Sequence, residues 1–196
     1  MQSHLILASA SPRRAQILSM LGFEFDVVPT RVEEEALPGA TPRQHAEELA
    51  RDKAAAAATQ HPDALCIGAD TIVVLDDDVL EKPTSPDDAL HMLQRLQGRW
   101  HTVYTAVALH HAKGKRHCSG IEATQVHFRQ LDTAFLRRYA HSGEPDDKAG
   151  AYAIQGLGAM LVREVRGCFY NVMGFPIVRF LELLDELHAQ EGGAHD

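Results

Sequence analysis

The sequence predicts an α/β protein, and three observations carry that reading. Short apolar runs at Leu5–Ala8, Leu65–Ala69, Ile72–Leu75 and Thr102–Val107 have the length of buried strands. Between them, apolar residues recur three and four apart, as in Ile17, Leu18 and Leu21 or Ala89, Met92, Leu93 and Leu96, the spacing of one helix face. The borders carry helix-start and turn chemistry: Ser11-Pro12, Thr41-Pro42, Ser85-Pro86 and Gly174-Phe175-Pro176.

The first strand runs into Ser9-Ala10-Ser11-Pro12-Arg13-Arg14. Ser11 is expected to cap the following helix, its hydroxyl taking an orphan amide proton. Pro12 suits the first helical position, where a missing N–H costs nothing. Arg13 and Arg14 then sit at the helix end that disfavours cations. Two readings are open: an anion such as a phosphate chain lies between them, held by amides, hydroxyls and guanidinium forks, or both side chains reach into solvent. Gly22 stops the helix, and Phe23–Val28 alternates like a strand. The stretch from Pro29 to Pro42 is rich in proline and acid, with Glu33-Glu34-Glu35 at its middle. That is either a solvated loop or a place to hold a divalent cation. Thr41-Pro42 opens a helix whose apolar face passes through Ala46, Leu49, Ala50 and the alanine run Ala54–Ala58. Lys53 lies on this helix, and a single helical lysine is expected to face solvent.

The second buried strand, Leu65–Ala69, continues past Asp70-Thr71 into Ile72–Leu75. An aspartate inside such an apolar run is costly unless paired or used, so Asp70 reads as functional. Asp76-Asp77-Asp78 is a hairpin turn with Val79-Leu80 returning. Glu81-Lys82-Pro83 leads to a helix from Ser85-Pro86 that Gly98 ends. Trp100–Leu109 and Ile121–Phe128 are antiparallel strands turned at Gly114. Asp132-Thr133 opens a helix burying Phe135, Leu136 and Tyr139. From Gly143 to Gly158 the chain carries four glycines, marking close backbone approach or positive φ. Ala159–Val165 and Cys168-Phe169-Tyr170 read as the last hairpin strands. A final helix runs through Phe180, Leu181, Leu184 and Leu187, and the tail from Gln190 to Asp196 is expected to fray.

The chain of 196 residues is long enough for one domain with a real core. Its formal net charge of −8 argues against broad nucleic-acid binding, which needs a basic surface. Three scattered cysteines, Cys66, Cys118 and Cys168, fit reduced thiols. No basic segment followed by a long apolar one opens the chain, and no run is long and apolar enough for a membrane, so a cytoplasmic protein is expected. His110, His111, His117 and Cys118 flank a Lys-Gly-Lys turn without zinc spacing and read as a solvated hairpin end.

Ser9, Ser11, Arg13, Arg14, Glu34, Lys53, Asp70, Lys82 and Gln155 form the candidate constellation. Cations from separated elements, carboxylates and one amide are what a nucleoside triphosphate with a divalent metal requires. These residues fall in motifs that resemble the Maf-like nucleotide pyrophosphatases. The motifs are Ser9-Ala-Ser-Pro-Arg-Arg14, Ala50-Arg-Asp-Lys-Ala54, Gly68-Ala-Asp-Thr71, Glu81-Lys-Pro83, Lys148-Ala-Gly-Ala-Tyr152 and Gln155-Gly-Leu-Gly158. The likeness runs in order from about Leu5 to Leu187, and several motifs in sequence are far more specific than one.

The resemblance implies an inosine-triphosphate-pyrophosphatase-like fold: an elongated mixed sheet flanked by helices, one domain over residues 1–189 with two lobes and a central cleft. It implies hydrolysis of nucleoside triphosphates to the monophosphate and pyrophosphate, with a divalent ion (Mg²⁺, or Mn²⁺ or Co²⁺), in an enzyme that often forms homodimers. By position, Asp70 is implied as general base, and Asp70 and Glu34 as metal partners. Ser9, Arg14, Lys53 and Lys82 are implied as the phosphate and substrate shell, and Arg13, Thr71 and Gln155 as specificity positions. The branch acting on 7-methyl-GTP typically has tryptophan where Arg13 stands, glutamine at Thr71 and glutamate at Gln155. This chain therefore resembles the dTTP and UTP branch, including modified pyrimidine nucleotides. A neutral amide both donates to and accepts from a pyrimidine edge. Whether Asp70 chiefly ligates metal or chiefly takes the proton stays open. Two rivals differ in class: a non-catalytic nucleotide-binding regulator of cell division and septum formation, and a nucleic-acid-binding protein using the Arg13/Arg14 turn.

Overall fold

The computed structural model describes residues 4–32 and 39–192. In chain order the elements are β1 (Leu5–Leu7), α1 (Pro12–Met20), β2 (Phe25–Val27), α2 (Pro42–Gln60), β3 (Leu65–Leu75), β4 (Asp78–Leu80) and α3 (Pro86–Leu96). They continue with β5 (Trp100–His111), β6 (Arg116–Phe128), α4 (Thr133–Ala140), β7 (Val162–Arg166), α5 (Phe169–Val172) and α6 (Ile177–Gly192). Two 3₁₀ turns, Ala149–Ala151 and Gly156–Met160, lie between α4 and β7. The strands form one seven-stranded mixed sheet in the order β2-β1-β3-β5-β6-β7, with β4 paired to β3. β1 is parallel to both β2 and β3, whereas β4 and β7 run antiparallel to β3 and β6. The predicted mixed α/β class holds.

Local signals placed most borders correctly. Thr41 closes a full capping box with Gln44, and Ser85 and Asp132 accept from the amides of Asp88 and Phe135. Two expectations fail. Ser11 stands at the N-cap of α1 but its side chain makes no capping bond; instead its own amide donates to Ser9 Oγ at 3.2 Å. Cys168-Phe169-Tyr170 is not a strand: α5 begins at Phe169. Thr124 Oγ1 donates to the Cys168 carbonyl and accepts from its amide, and the buried Asn171 amide reaches the Val103 carbonyl. Those side chains answer backbone groups that a sheet ladder would otherwise take. The final helix continues through Gln190 to Gly192, and residues 193–196 of the expected tail lie outside the described residues.

The chain divides into two compact units. The first comprises Met1–Asp70, Thr105–Glu122 and Gly174–Asp196. Its core includes Ile6, Ala8, Ala57, Ala58, Ala64 and Cys66, together with Phe175 and Phe180, whose rings lie 5.0 Å apart. Alanines at 54, 57 and 58, all fully buried, give α2 a flat face that can lie close to a strand. Burial pushes the Cys66 thiol up to about 11, which makes it inert near neutral pH.

The second unit comprises Thr71–Tyr104 and Ala123–Met173. Val73, Leu80, Leu93, Leu96, Val126, Phe128, Leu136 and Leu161 form the body of its core. His101 is buried among them, 3% exposed, edge-on to Phe128 and Tyr152, with Nε2 2.8 Å from the Tyr152 hydroxyl. Its Nδ1 is buried with no hydrogen-bond partner among the described residues. Burial, reinforced by the charge of His127, lowers the imidazole from its ordinary 6.5 to about 3. The unfolded chain therefore binds a proton below pH 6.5 that the folded chain refuses until about pH 3. Stability is lost as pH falls through that window, at about 1.4 kcal/mol per pH unit for one proton. His101→Gln keeps a polar group for Tyr152 but cannot titrate. Urea unfolding at pH 7, 5 and 4 should show the variant gaining on the wild type at each step down; parallel pH profiles would contradict a neutral buried His101.

Candidate active site

The first unit holds four of the singled-out side chains in two hydrogen-bonded pairs, Ser9 with Arg14 and Lys53 with Asp70. Arg14 also holds the carbonyl of Ala69, the residue before Asp70. β1 ends at Leu7, and Ser9 two residues on is 8% exposed. Its hydroxyl oxygen accepts from the Ser11 amide and, at 3.0 Å, from Arg14 Nη1. Arg14 Nη1 also donates to the Ala69 carbonyl at 2.9 Å, and Nε donates to the Gly174 carbonyl at 2.9 Å. The guanidinium thus fastens the β1–α1 turn to the middle of β3 and to the start of the last segment. A cation in the first turn of a helix is tolerated here because backbone carbonyls surround it.

Asp70 lies within β3, one residue past that carbonyl, and is 9% exposed. Its Oδ1 accepts from Lys53 Nζ at 2.8 Å, with the two side chains 13% and 12% exposed. Lys53 reaches it from α2 because of Gly68. A Cβ at that position would lie 2.1 Å from the Ala50 carbonyl oxygen and 2.6 Å from the Ala54 amide nitrogen. Helix backbone rests directly on strand backbone there, so the turn carrying Lys53 sits beside the strand carrying Asp70. The expectation of a solvent-facing Lys53 is therefore corrected: it is a largely buried partner of a largely buried carboxylate.

Arg13 stands half-buried in the first turn of α1, also in the first unit. Thr71, Lys82 and Gln155 belong to the second unit. Thr71 follows Asp70 in β3 and is half-buried, while Lys82 and Gln155 are exposed. The Glu81 carbonyl accepts from the Gly150 amide at 3.0 Å, which fastens the Glu81-Lys82 segment to the first 3₁₀ turn. Gly150 has φ +68°, and a Cβ there would meet the Val73 side chain at 2.9 Å. Glu34, the other expected metal partner, lies outside the described residues. Among the described residues no three His, Cys, Asp or Glu side chains are placed to hold a metal ion.

Sequence reasoning missed one feature of the second unit. The Glu144 carboxylate accepts from the Tyr139 hydroxyl and from the amides of Leu157 and Gly158, the residues just after Gln155. An acid standing inside a glycine-rich stretch was the available signal.

The family model described as Maf-like protein matches residues 4–187. A dTTP/UTP pyrophosphatase of Aquifex aeolicus is 45% identical over 96% of this chain and 97% of its own length. Another of that description, from Syntrophus aciditrophicus, is 43% identical over 98% and 95%. A solved nucleoside-triphosphatase described as a dITP/XTP pyrophosphatase, from Mycobacterium abscessus, covers 98% of this chain and all of its own. It has 13% identity and a TM-score of 0.49.

Proposed function

Since the chain belongs to the Maf-like protein family, we propose that it hydrolyses dTTP and UTP to the nucleoside monophosphate and pyrophosphate. Near-full-length relatives carrying that description support the substrate class. The observation that supports the chemistry is the largely buried Asp70–Lys53 pair, one residue along β3 from the Ala69 carbonyl that Arg14 holds.

Among the described residues Asp70 meets Lys53 through Oδ1, and that suits the other oxygen for a proton from water. The water oxygen forms a bond to the α-phosphorus, the bond from that phosphorus to the bridging oxygen breaks, and pyrophosphate leaves with the electron pair. Lys53 orients the carboxylate. Ser9 and Arg13 at the opening of α1 hold phosphate oxygens, helped by first-turn amides. Arg14, tied to two carbonyls and to Ser9, acts mainly by fixing that turn. Lys82 serves the phosphates, and the Gln155 carboxamide reads the pyrimidine edge.

A single carboxylate with a spare oxygen also fits a magnesium-like ion, which one or two carboxylates commonly hold together with substrate phosphates and water. Asp70 and Glu34 would hold it, and when bound it supplies charge neutralisation on the phosphates. Pyrophosphate release measured with UTP, dTTP, GTP and ATP tests the reading. UTP and dTTP should exceed both purine nucleotides in kcat/KM by about tenfold or more, the scale set by one or two base-reading hydrogen bonds. Tight nucleotide binding without release from any of the four would instead identify a sensor.

A further inference from the structure

Gln155 opens the second 3₁₀ turn, and a residue in that position commonly turns its side chain back onto the first amides of the turn. Here it makes no such bond, because those amides are already taken. Leu157 N donates to Glu144 Oε2 at 3.0 Å and Gly158 N to Glu144 Oε1 at 2.8 Å. On the other side of Gln155, the Ala153 amide donates to the Tyr139 hydroxyl at 3.1 Å, and that hydroxyl donates to Glu144 Oε1 at 3.0 Å. One carboxylate and one phenol thus pin the backbone at 153, 157 and 158 and leave the exposed Gln155 between them.

The glycines of this stretch fit around the same two groups. A Cβ at Gly156, whose φ is +67°, would lie 2.6 Å from Glu144 Oε2. A Cβ at Gly158 would lie 2.7 Å from the Tyr139 hydroxyl and 2.1 Å from the Ala153 carbonyl oxygen. A segment this rich in glycine would otherwise lose much conformational freedom on binding a ligand. Every one of these groups belongs to the second unit.

We propose that Glu144, acting with Tyr139, is a positioning residue for nucleobase discrimination: it caps the 3₁₀ turn in place of Gln155, so that the Gln155 carboxamide is held ready for the base. This rests on the reading of Gln155 as the base-reading group. Glu144→Gln puts an NH₂ against one of the three donors, and Tyr139→Phe removes the link to Ala153 without changing core volume.

The test compares kcat and KM on UTP and GTP for wild type, Glu144→Gln, Tyr139→Phe, Gln155→Ala and the Glu144→Gln/Gln155→Ala double variant. Glu144→Gln should raise KM for UTP about tenfold with kcat little changed, and lower the UTP-over-GTP ratio by a similar factor, the scale of one lost charge-assisted hydrogen bond. Tyr139→Phe should shift both in the same direction by about threefold, the scale of a neutral bond. In the Gln155→Ala background Glu144→Gln should add nothing to the ratio. If Gln155→Ala erases the preference while Glu144→Gln and Tyr139→Phe only lower Tm, the positioning role is overturned and Gln155 keeps its own. If Gln155→Ala leaves the ratio untouched, the reading of Gln155 fails and the positioning role with it. Should Glu144→Gln not fold, Tyr139→Phe decides: an unchanged ratio overturns the proposal and a lowered one supports it.

Discussion

Asp70→Asn should lower kcat on UTP by about two to four orders of magnitude, the contribution of a positioned general base. The amide keeps an oxygen for Lys53 Nζ, the bond seen at 2.8 Å, so the strand and helix that meet there should hold together. Nucleotide binding should persist as well, because the proposed phosphate contacts come from Ser9, Arg13 and Lys82 rather than from the carboxylate. Single-turnover kinetics beside calorimetric binding of UTP separates the two effects. A variant that turns over at the wild-type rate removes Asp70 from proton transfer. One that no longer binds shifts its role towards holding the substrate.

Gly68→Ala is expected to be the most damaging conservative change in the first unit. The added Cβ would meet the Ala50 carbonyl oxygen and the Ala54 amide, both backbone atoms of a helix and unable to swing aside as a side-chain tip could. α2 must lift away from β3, at a cost of about 3 kcal/mol or more. For a chain of this length that lowers Tm by roughly 6–12 °C. The same displacement draws Lys53 away from Asp70, and a shift near 1 Å in a catalytic arrangement costs about a hundredfold in rate. Thermal melting and kcat on UTP should fall together. A variant melting and turning over like the wild type would show that α2 does not depend on that close approach.

The parts of this fold legible in the sequence are those specified by neighbours along the chain. Thr41-Pro42, Ser85-Pro86 and Asp132-Thr133 each begin a helix because the cap and its amide lie three residues apart. Asp70 was legible for a different reason: a carboxylate in an apolar strand needs a partner, whatever that partner is. The partner itself was not legible. Lys53 looks like any helical lysine until Gly68 lets its helix settle onto the strand. Arg14 could be read as an anion ligand, but its carbonyl partner Gly174 lies 160 residues away. Cys168-Phe169-Tyr170 has strand-like composition, and Thr124, 44 residues earlier, answers the backbone of Cys168. Glu144 was hidden in the same way, because its capping bonds cross 13 and 14 residues to a turn that local rules would assign to Gln155. Contacts across long sequence separations set these positions, and propensity contains no record of them.

Attack of water on the α-phosphorus is the step on which the functional account depends. Hydrolysis of UTP in ¹⁸O-labelled water, with both products weighed by mass spectrometry, observes that step directly. One heavy oxygen in UMP and none in pyrophosphate is the predicted outcome. Label recovered in pyrophosphate, or release of single phosphates from the γ end, would contradict it.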